Sequence, residues 1–364
     1  MKLFILPLTI LVGVLIITAI IFNTYSPISL PSNGDSNNKD KTENVKGAIW
    51  KSTDGGRNFE PKSKMASSDS KIDLSRNVTK LISGANNDIL AITSKGGVFR
   101  TTNWGADWNV LLDGNIVPTA VGVNTNKTEE IYTGAIVSKR ARLYRTVNLG
   151  KDNNWQEIYT EPKEGASFVD IKIDPKNENI VYALLSSGVL LKSYNKGLDW
   201  VLATNLKNTA IGLEIDLSNS NNILIIGTTK IFISSDGGFS FEESTPKLKL
   251  QAITGAQIAS FAINPNNIQE IYLGGSGEII RTTDKGKTWE NIRILTPNLS
   301  SPVNNIRVSR SNANVIYYNV GTVLYTSSNR GETWNTSDLS SIVKNISDLL
   351  IDREKSDIIY LSSN

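Results

Sequence analysis

No cysteine and no histidine occur anywhere in the sequence. Disulfides, thiolate nucleophiles, imidazole bases and the usual zinc ligand sets are therefore excluded, and no metal or cofactor is expected. Charge of one sign is also lacking. Thirty-eight Lys and Arg against 35 Asp and Glu leave a net charge of +3, scattered rather than striped, so nothing tracks a phosphate backbone and nucleic acid is not an expected partner. What remains is ordinary for a globular chain: 39% hydrophobic and 20% charged residues over 364 positions, enough to bury a sizeable core.

One long apolar run is present. Residues 3 to 22, LFILPLTILVGVLIITAIIF, carry no charge and match the length of a helix that crosses a bilayer. A cleaved signal peptide is the rival reading, but the run is longer than the usual apolar region of such peptides and no small-x-small site follows it. Residues 1–23 are thus expected to be a single-pass signal anchor. Lys2 and the amino terminus bias its start to the cytoplasm, which puts the bulk of the chain on the extracytoplasmic side. Residues 24–46, rich in Ser, Asn, Pro and Lys, read as a solvated linker reaching on the order of 25 to 30 Å.

Residues 47–364 are built from a repeat. KSTDGGRNF from Lys51, RTTNWGADW from Arg100, RTVNLGKDNNW from Arg145, KSYNKGLDW from Lys192, ISSDGGFSF from Ile233, RTTDKGKTW from Arg281 and TSSNRGETW from Thr326 share one frame. Ser or Thr is followed two residues later by Asp or Asn, then Gly, then Trp or Phe. The acidic or amide position is Asp54, Asn103, Asn148, Asn195, Asp236, Asp284 and Asn329. The glycines, Gly56, Gly105, Gly150, Gly197, Gly238, Gly286 and Gly331, recur every 41 to 49 residues, a period of blades or solenoid turns. Asp and Asn close a turn on backbone amides, Gly supplies positive φ, and the aromatic packs between sheets with an indole N–H to donate. The third copy has two extra residues before Trp155 and predicts a looser turn.

Upstream of each box lie a strand such as GVLLK and an earlier pair of strands around an Asn-Pro or Asp-Pro turn, as in VDIKIDPKNENIVYAL (169–184). Each unit is four antiparallel strands, the construction of a propeller. The first box is preceded by strand three only. The last stretch, 346–364, supplies strands one and two and stops. Joined, they complete one blade, which predicts an all-β, seven-bladed β-propeller closed two strands plus two, and monomeric.

The frame S-x-D-x-G-x-x-W resembles the Asp-box, or BNR, repeat of sialidases, sortilin-type receptors and the photosystem II stability and assembly factor family, over residues 47–364. The resemblance implies a propeller in which the box is structural. Seven blades behind a membrane-targeted N-terminus look most like the assembly factors. The Asp-box residues are accordingly expected to close turns.

A basic residue recurs three positions before the Asp or Asn, as Lys51, Arg100, Arg145, Lys192 and Arg281. Their stems are expected to cover neighbouring strands with the charged heads in water; a ring of cations for an acidic partner is the alternative. The concentrated charge is Lys139, Arg140 and Arg142, in the strand two to three turn of the third blade and hence on the face opposite the boxes. Two long inter-blade loops, 61–78 and 243–257, belong to the same face, the first carrying Lys62, Lys64, Lys71 and Arg76 against Asp69 and Asp73. Loops on a rigid scaffold commonly bind. The reading is a non-catalytic binding or assembly module whose Lys139, Arg140 and Arg142 face grips an acidic protein segment, an anionic glycan or lipid headgroups. The alternative is a glycoside hydrolase. A sialidase-like arginine trio does not assemble from Arg76, Arg100, Arg140, Arg142, Arg281, Arg293 and Arg307, and the two carboxylates a hydrolase needs have no reading in sequence spacing.

Overall fold

The computed structural model describes residues 49–67, 74, 78–84, 88–112, 116–124, 127, 129–149, 154–246, 257–295 and 300–363. The expected anchor (1–23) and linker (24–46), most of the two long inter-blade loops, and the extra residues of the third box lie outside them. Among the described residues there is no helix long and apolar enough to cross a membrane.

The described residues form 28 strands arranged as seven four-stranded antiparallel sheets. Each sheet is a blade, and its first strand lines a central channel: Val78–Ser83, Val117–Val123, Phe168–Ile173, Ala210–Ile215, Ser260–Asn264, Asn304–Val308 and Asp348–Ile351 in blades 2 to 7 and 1. Blade 1 is the composite one. Its third strand, Ile49–Ser52, pairs with Ile359–Ser362 from the other end of the chain, with Ile49 opposite Ser362 and Ser52 opposite Ile359. The two-plus-two closure read from the half-repeats is thus the observed one, and it leaves no open inner edge for another chain to extend.

Why these segments are strands follows from their burial. The second strands, Ile89–Thr93, Val181–Leu185, Ile223–Gly227 and Ile316–Val320, are buried at every position, so β-branched and aliphatic residues fill both faces. The fourth strands alternate or are exposed, as in Glu242–Ser244 and Asn335–Asp338, because they form the outer rim. Between blades lie clusters such as Tyr182, Leu184, Leu190, Leu213, Ile225 and Phe232. No single blade can bury these residues alone.

Polar bonds fix the blades to one another at three radii. At the channel, the Asp170 and Asp348 carboxylates accept the backbone N–H of Leu213 and Leu81 in the next blade, at 3.2 and 2.8 Å. Midway, tyrosine hydroxyls donate to the next blade's box turn: Tyr132 to the Lys196 carbonyl, Tyr182 to Gly237 and Tyr360 to Trp104, at 3.1 to 3.3 Å. At the rim, box tryptophans donate backwards, Trp108 to the Lys62 carbonyl, Trp155 to Leu111 and Trp334 to Arg293, at 2.7 to 3.0 Å. The expected indole donor role is observed at these three and, within its own turn, at Trp289, whereas the buried Trp200 N–H has no hydrogen-bond partner among the described residues. Burial of the tyrosine phenols pushes their pKa up, so they remain donors across the ordinary pH range.

Candidate functional site

The box turn explains its own residue types. In blade 1, Ser52 Oγ accepts the Gly56 N–H at 2.9 Å and donates to Asp54 Oδ1 at 2.7 Å, and Asp54 Oδ1 accepts the N–H groups of Arg57 and Asn58 at 3.0 Å. Blades 5 and 6 repeat this around Asp236 and Asp284. Asn103, Asn195 and Asn329 do so with an amide oxygen. In blade 3, Thr146 Oγ1 donates to Asn148 Oδ1 at 2.9 Å. Gly56 has φ of +89°. A Cβ on it would lie 2.6 Å from Leu324 Cδ2 in the preceding blade, so only glycine lets the blades close here.

A second rule was present in the sequence and is visible only with the geometry. The residue four positions after the box Asp or Asn complements it. Where the box holds Asp, that residue donates: Asn58 Nδ2, Ser240 Oγ and Thr288 Oγ1 reach the second carboxylate oxygen of Asp54, Asp236 and Asp284 at 2.6 to 2.7 Å. Where the box holds Asn, that residue accepts: Asp107, Asp199 and Thr333 take the amide N–H of Asn103, Asn195 and Asn329. These donations hold the Asp54 carboxyl down at about 2, led by the Asn58 N–H, and that of Asp284 at about 2, led by the Thr288 hydroxyl. In six of the seven boxes the carboxylate or amide is thereby spent on its own turn.

The recurring cations are not hydrated heads, contrary to expectation, nor a free ring. Each stands opposite a second-strand residue of its own blade. Arg145 is paired across the sheet with Tyr132, Lys192 with Tyr182, Arg281 with Tyr272, Lys51 with Tyr360 and Arg100 with Leu90. The cation lies over the phenol ring in four of these, at 5.0 to 6.0 Å from the centroid. Where Leu90 replaces the tyrosine, Arg100 grips Asp88 instead, through Nε at 2.9 Å and Nη2 at 2.6 Å. Arg145 holds Glu130 in the same manner. Burial alone would raise the Glu130 carboxyl, but bonds from Arg145, Asn124 and Tyr132 hold it below its usual range. Lys192 is only 5% exposed. It donates to the Gly237 carbonyl at 2.8 Å within a box of Tyr182, Tyr194 and Phe239 rings. The tyrosine opposite supplied the reason for the cation, and cross-strand register, not spacing along the chain, reveals it.

The face opposite the boxes is different at blade 3. Ser138 and Lys139, both at positive φ, make the turn between strands Ile131–Val137 and Arg140–Thr146. Lys139 and Arg140 are exposed, while Arg142 sits within the strand, half-buried, with Nη1 on Glu157 at 2.8 Å. Only the first two of the three expected cations therefore stand free of an ion pair among the described residues. Two apolar residues that sequence reading missed join them. Val117 and Ile136, each 40% exposed, are direct cross-strand partners, and Val137 beside Ile136 is opposite Arg140. The end of blade 3 is an apolar pair capped by two cations.

The channel, of about 920 Å³, has carboxylates in its wall, but they are occupied. Asp170 accepts from Ile171 and Leu213, Glu214 is paired with Lys172 at 3.0 Å, and Asp174 and Asp216 cap their own turns. Wherever a described carboxyl group is displaced from its ordinary value, it is displaced downward. Among the described residues no cluster of three acidic side chains is placed to hold a metal ion.

Comparison with known proteins places this geometry. The model of the Sortilin-Vps10 family (sortilin, neurotensin receptor 3) matches residues 229–363. No curated protein sequence matches the chain. Among solved structures, the GH74 xyloglucanase of Xanthomonas campestris is similar over 86% of this chain and 52% of its own, at 14% identity and a TM-score of 0.65. The GH74 enzyme of Niastella koreensis covers 79% and 51%, at 19% identity and 0.64. The chain thus spans about half the length of these enzymes. YCF48 from Cyanidioschyzon merolae covers 78% of this chain and 95% of its own, at 14% identity and 0.60, and YCF48 has also been solved bound to D1 peptide. At these identities the likeness is one of fold, and it agrees with the resemblance carried by the boxes: the chain is a seven-bladed Asp-box propeller, similar in fold to hydrolase and peptide-bound propellers alike.

Proposed function

We propose that the chain is a non-catalytic binding module, anchored to a membrane through residues 1–23, with its propeller on the extracytoplasmic side and an acidic segment of a partner protein docking at the end of blade 3. The observation that carries this reading is the exposed Val117 and Ile136 pair flanked by Lys139 and Arg140. An apolar centre with a cationic rim is the make-up of a protein interface, and neither cation is consumed by an ion pair among the described residues. That YCF48 has been solved with a peptide supports peptide recognition by a propeller of this size.

Hydrolysis is less well supported. A glycosidase needs a proton-donating carboxyl whose pKa is raised, set across a cleft from a second carboxylate. The channel carboxylates here are held in structural bonds, and the displaced carboxyl groups of the molecule move the other way. Crosslinking from membranes tests the proposal: wild type recovers a partner protein, and the Lys139→Glu, Arg140→Glu double variant loses roughly tenfold or more of it, about 1.4 kcal/mol. Unchanged recovery removes the blade 3 surface, a glycan or lipid in place of a protein changes the partner class, and turnover of xyloglucan, β-glucans or sialosides replaces the reading with the enzymatic one.

A further inference from the structure

Five basic side chains line the central channel: Lys80, Lys172, Arg307, Arg310 and Arg353. Three are accounted for. Lys172 is shared between Glu214 at 3.0 Å and Asp170 at 3.7 Å. Arg307 is paired with Asp348 and donates to the Leu349 carbonyl. Lys80 donates to the Val169 carbonyl. Arg310 and Arg353 form no ion pair among the described residues. Arg353 places Nη1 on the Gly84 carbonyl at 2.8 Å, which fixes its guanidinium but leaves most of its N–H groups uncommitted.

Topology brings these two together. Arg310 follows the first strand of blade 7 and Arg353 the first strand of blade 1, and blades 7 and 1 are neighbours in the ring. Both turns are tied to the box side of the molecule, through the Arg330 N–H on the Asn314 carbonyl and the Gly55 N–H on the Asp357 carbonyl. The two guanidiniums therefore share one side of the channel mouth on the box face. Burial pushes the Arg353 pKa down and the Arg310 charge acts in the same direction, against the nearby Glu354 and Asp352 carboxylates, so the two guanidiniums lie within electrostatic reach of each other. Across the mouth, on blades 4 and 5, stand Asp174 and Asp216, both tied into their own turns. Asp352, beside Arg353, is likewise tied into its own turn by the Glu354 and Lys355 N–H groups, so the mouth's turn carboxylates are spent while the two guanidiniums hold no ion pair among the described residues.

We infer that Arg310 and Arg353 form an oxyanion site at the box-face mouth of the channel, which takes the carboxylate or phosphate group of a ligand that enters it. Two forked guanidiniums from adjacent blades suit bidentate recognition of a planar or tetrahedral oxyanion. The channel volume of about 920 Å³ accommodates the body of a small molecule or the end of a chain. This site is on the opposite face from the blade 3 surface, so it stands or falls independently of that reading.

The test uses the full chain and two probes, inorganic phosphate and succinate, titrated at constant ionic strength while the melting temperature is recorded. Wild type shows a saturable rise with at least one probe, and which probe saturates distinguishes phosphate from carboxylate chemistry. R310Q and R353Q each raise the half-saturating concentration roughly tenfold or more, R310K recovers part of the loss, and R57Q, an exposed arginine on the same face, behaves as wild type. Should R353Q fail to fold, R310Q decides, because Arg310 is exposed. No saturation with either probe overturns the site, and so does an equal response in wild type, R310Q and R57Q, which marks adventitious anion binding only.

Discussion

The box turns and the end of blade 3 use the same residue types to opposite ends. On the box face, Asp54, Asp236 and Asp284 accept from their own loops, and the basic residues behind them are matched by Tyr132, Tyr182, Tyr272, Tyr360 or Asp88. At blade 3 on the other face, Lys139 and Arg140 lie exposed beside an exposed apolar pair. The difference teaches how to separate structural from functional charge in a repeat protein. A charge that recurs at a fixed place in the repeat has a partner that recurs with it, whereas a charge that occurs once has no reason in the repeat and is free to meet something else.

That comparison can be broken at several points. The largest expected effect is at Trp108, fully buried with its indole N–H on the Lys62 carbonyl. Trp108→Ala should lower unfolding free energy by about 3 to 5 kcal/mol in urea denaturation followed by circular dichroism. Asp348→Ala should cost about 2 to 3 kcal/mol, because it leaves the Leu81 N–H without its acceptor and Arg307 without its partner. Thr282→Val, which removes the hydroxyl that accepts the Gly286 N–H and donates to Asp284, should cost about 1 to 3 kcal/mol. A smaller effect separates Asp boxes from Asn boxes by pH. Asp54 and Asp284 have folded values near 2 against roughly 3.9 unfolded, so their stabilisation is complete above about pH 4 and is lost as pH falls towards 2. Asp284→Asn should flatten part of that acid loss, whereas changing Asn329 to Ala should leave the acid slope alone; melting temperatures from pH 5 to 2 check both. The smallest stability change belongs to Lys139→Glu with Arg140→Glu, within about 0.5 kcal/mol of wild type, since no described partner holds either side chain.

Much of the fold was legible because its determinants are local. Ser52, Asp54, Gly56 and Phe59 lie within eight residues, and the half-repeats at 49–52 and 359–362 match the interior blades closely enough to predict their pairing. The donor and acceptor match four residues after each box was equally local, but it emerges only when both oxygens or the amide of the box residue are followed to their partners. The bonds between blades were not legible. Tyr132 reaches Lys196 and Trp108 reaches Lys62 across 64 and 46 residues, separations that depend on blade geometry. For the same reason the cations at Arg100 and Arg145 looked free, while Asp88 and Glu130, which neutralise them, sit immediately before the neighbouring strand. At the blade 3 surface the cations were found in the sequence and the apolar half was not. Nothing in the sequence marks Val117 and Ile136, and only the register that pairs them at the end of the sheet brings them together.

The most direct test of this separation is a paired binding titration of one partner, captured by crosslinking, against two variants of the full chain. Asp284→Asn alters the box face and Lys139→Glu with Arg140→Glu alters the end of blade 3, and both are expected to fold. The account predicts wild-type affinity for the first and a loss of roughly tenfold or more, about 1.4 kcal/mol, for the second. Weakened binding by Asp284→Asn with unchanged binding by the double variant would contradict it.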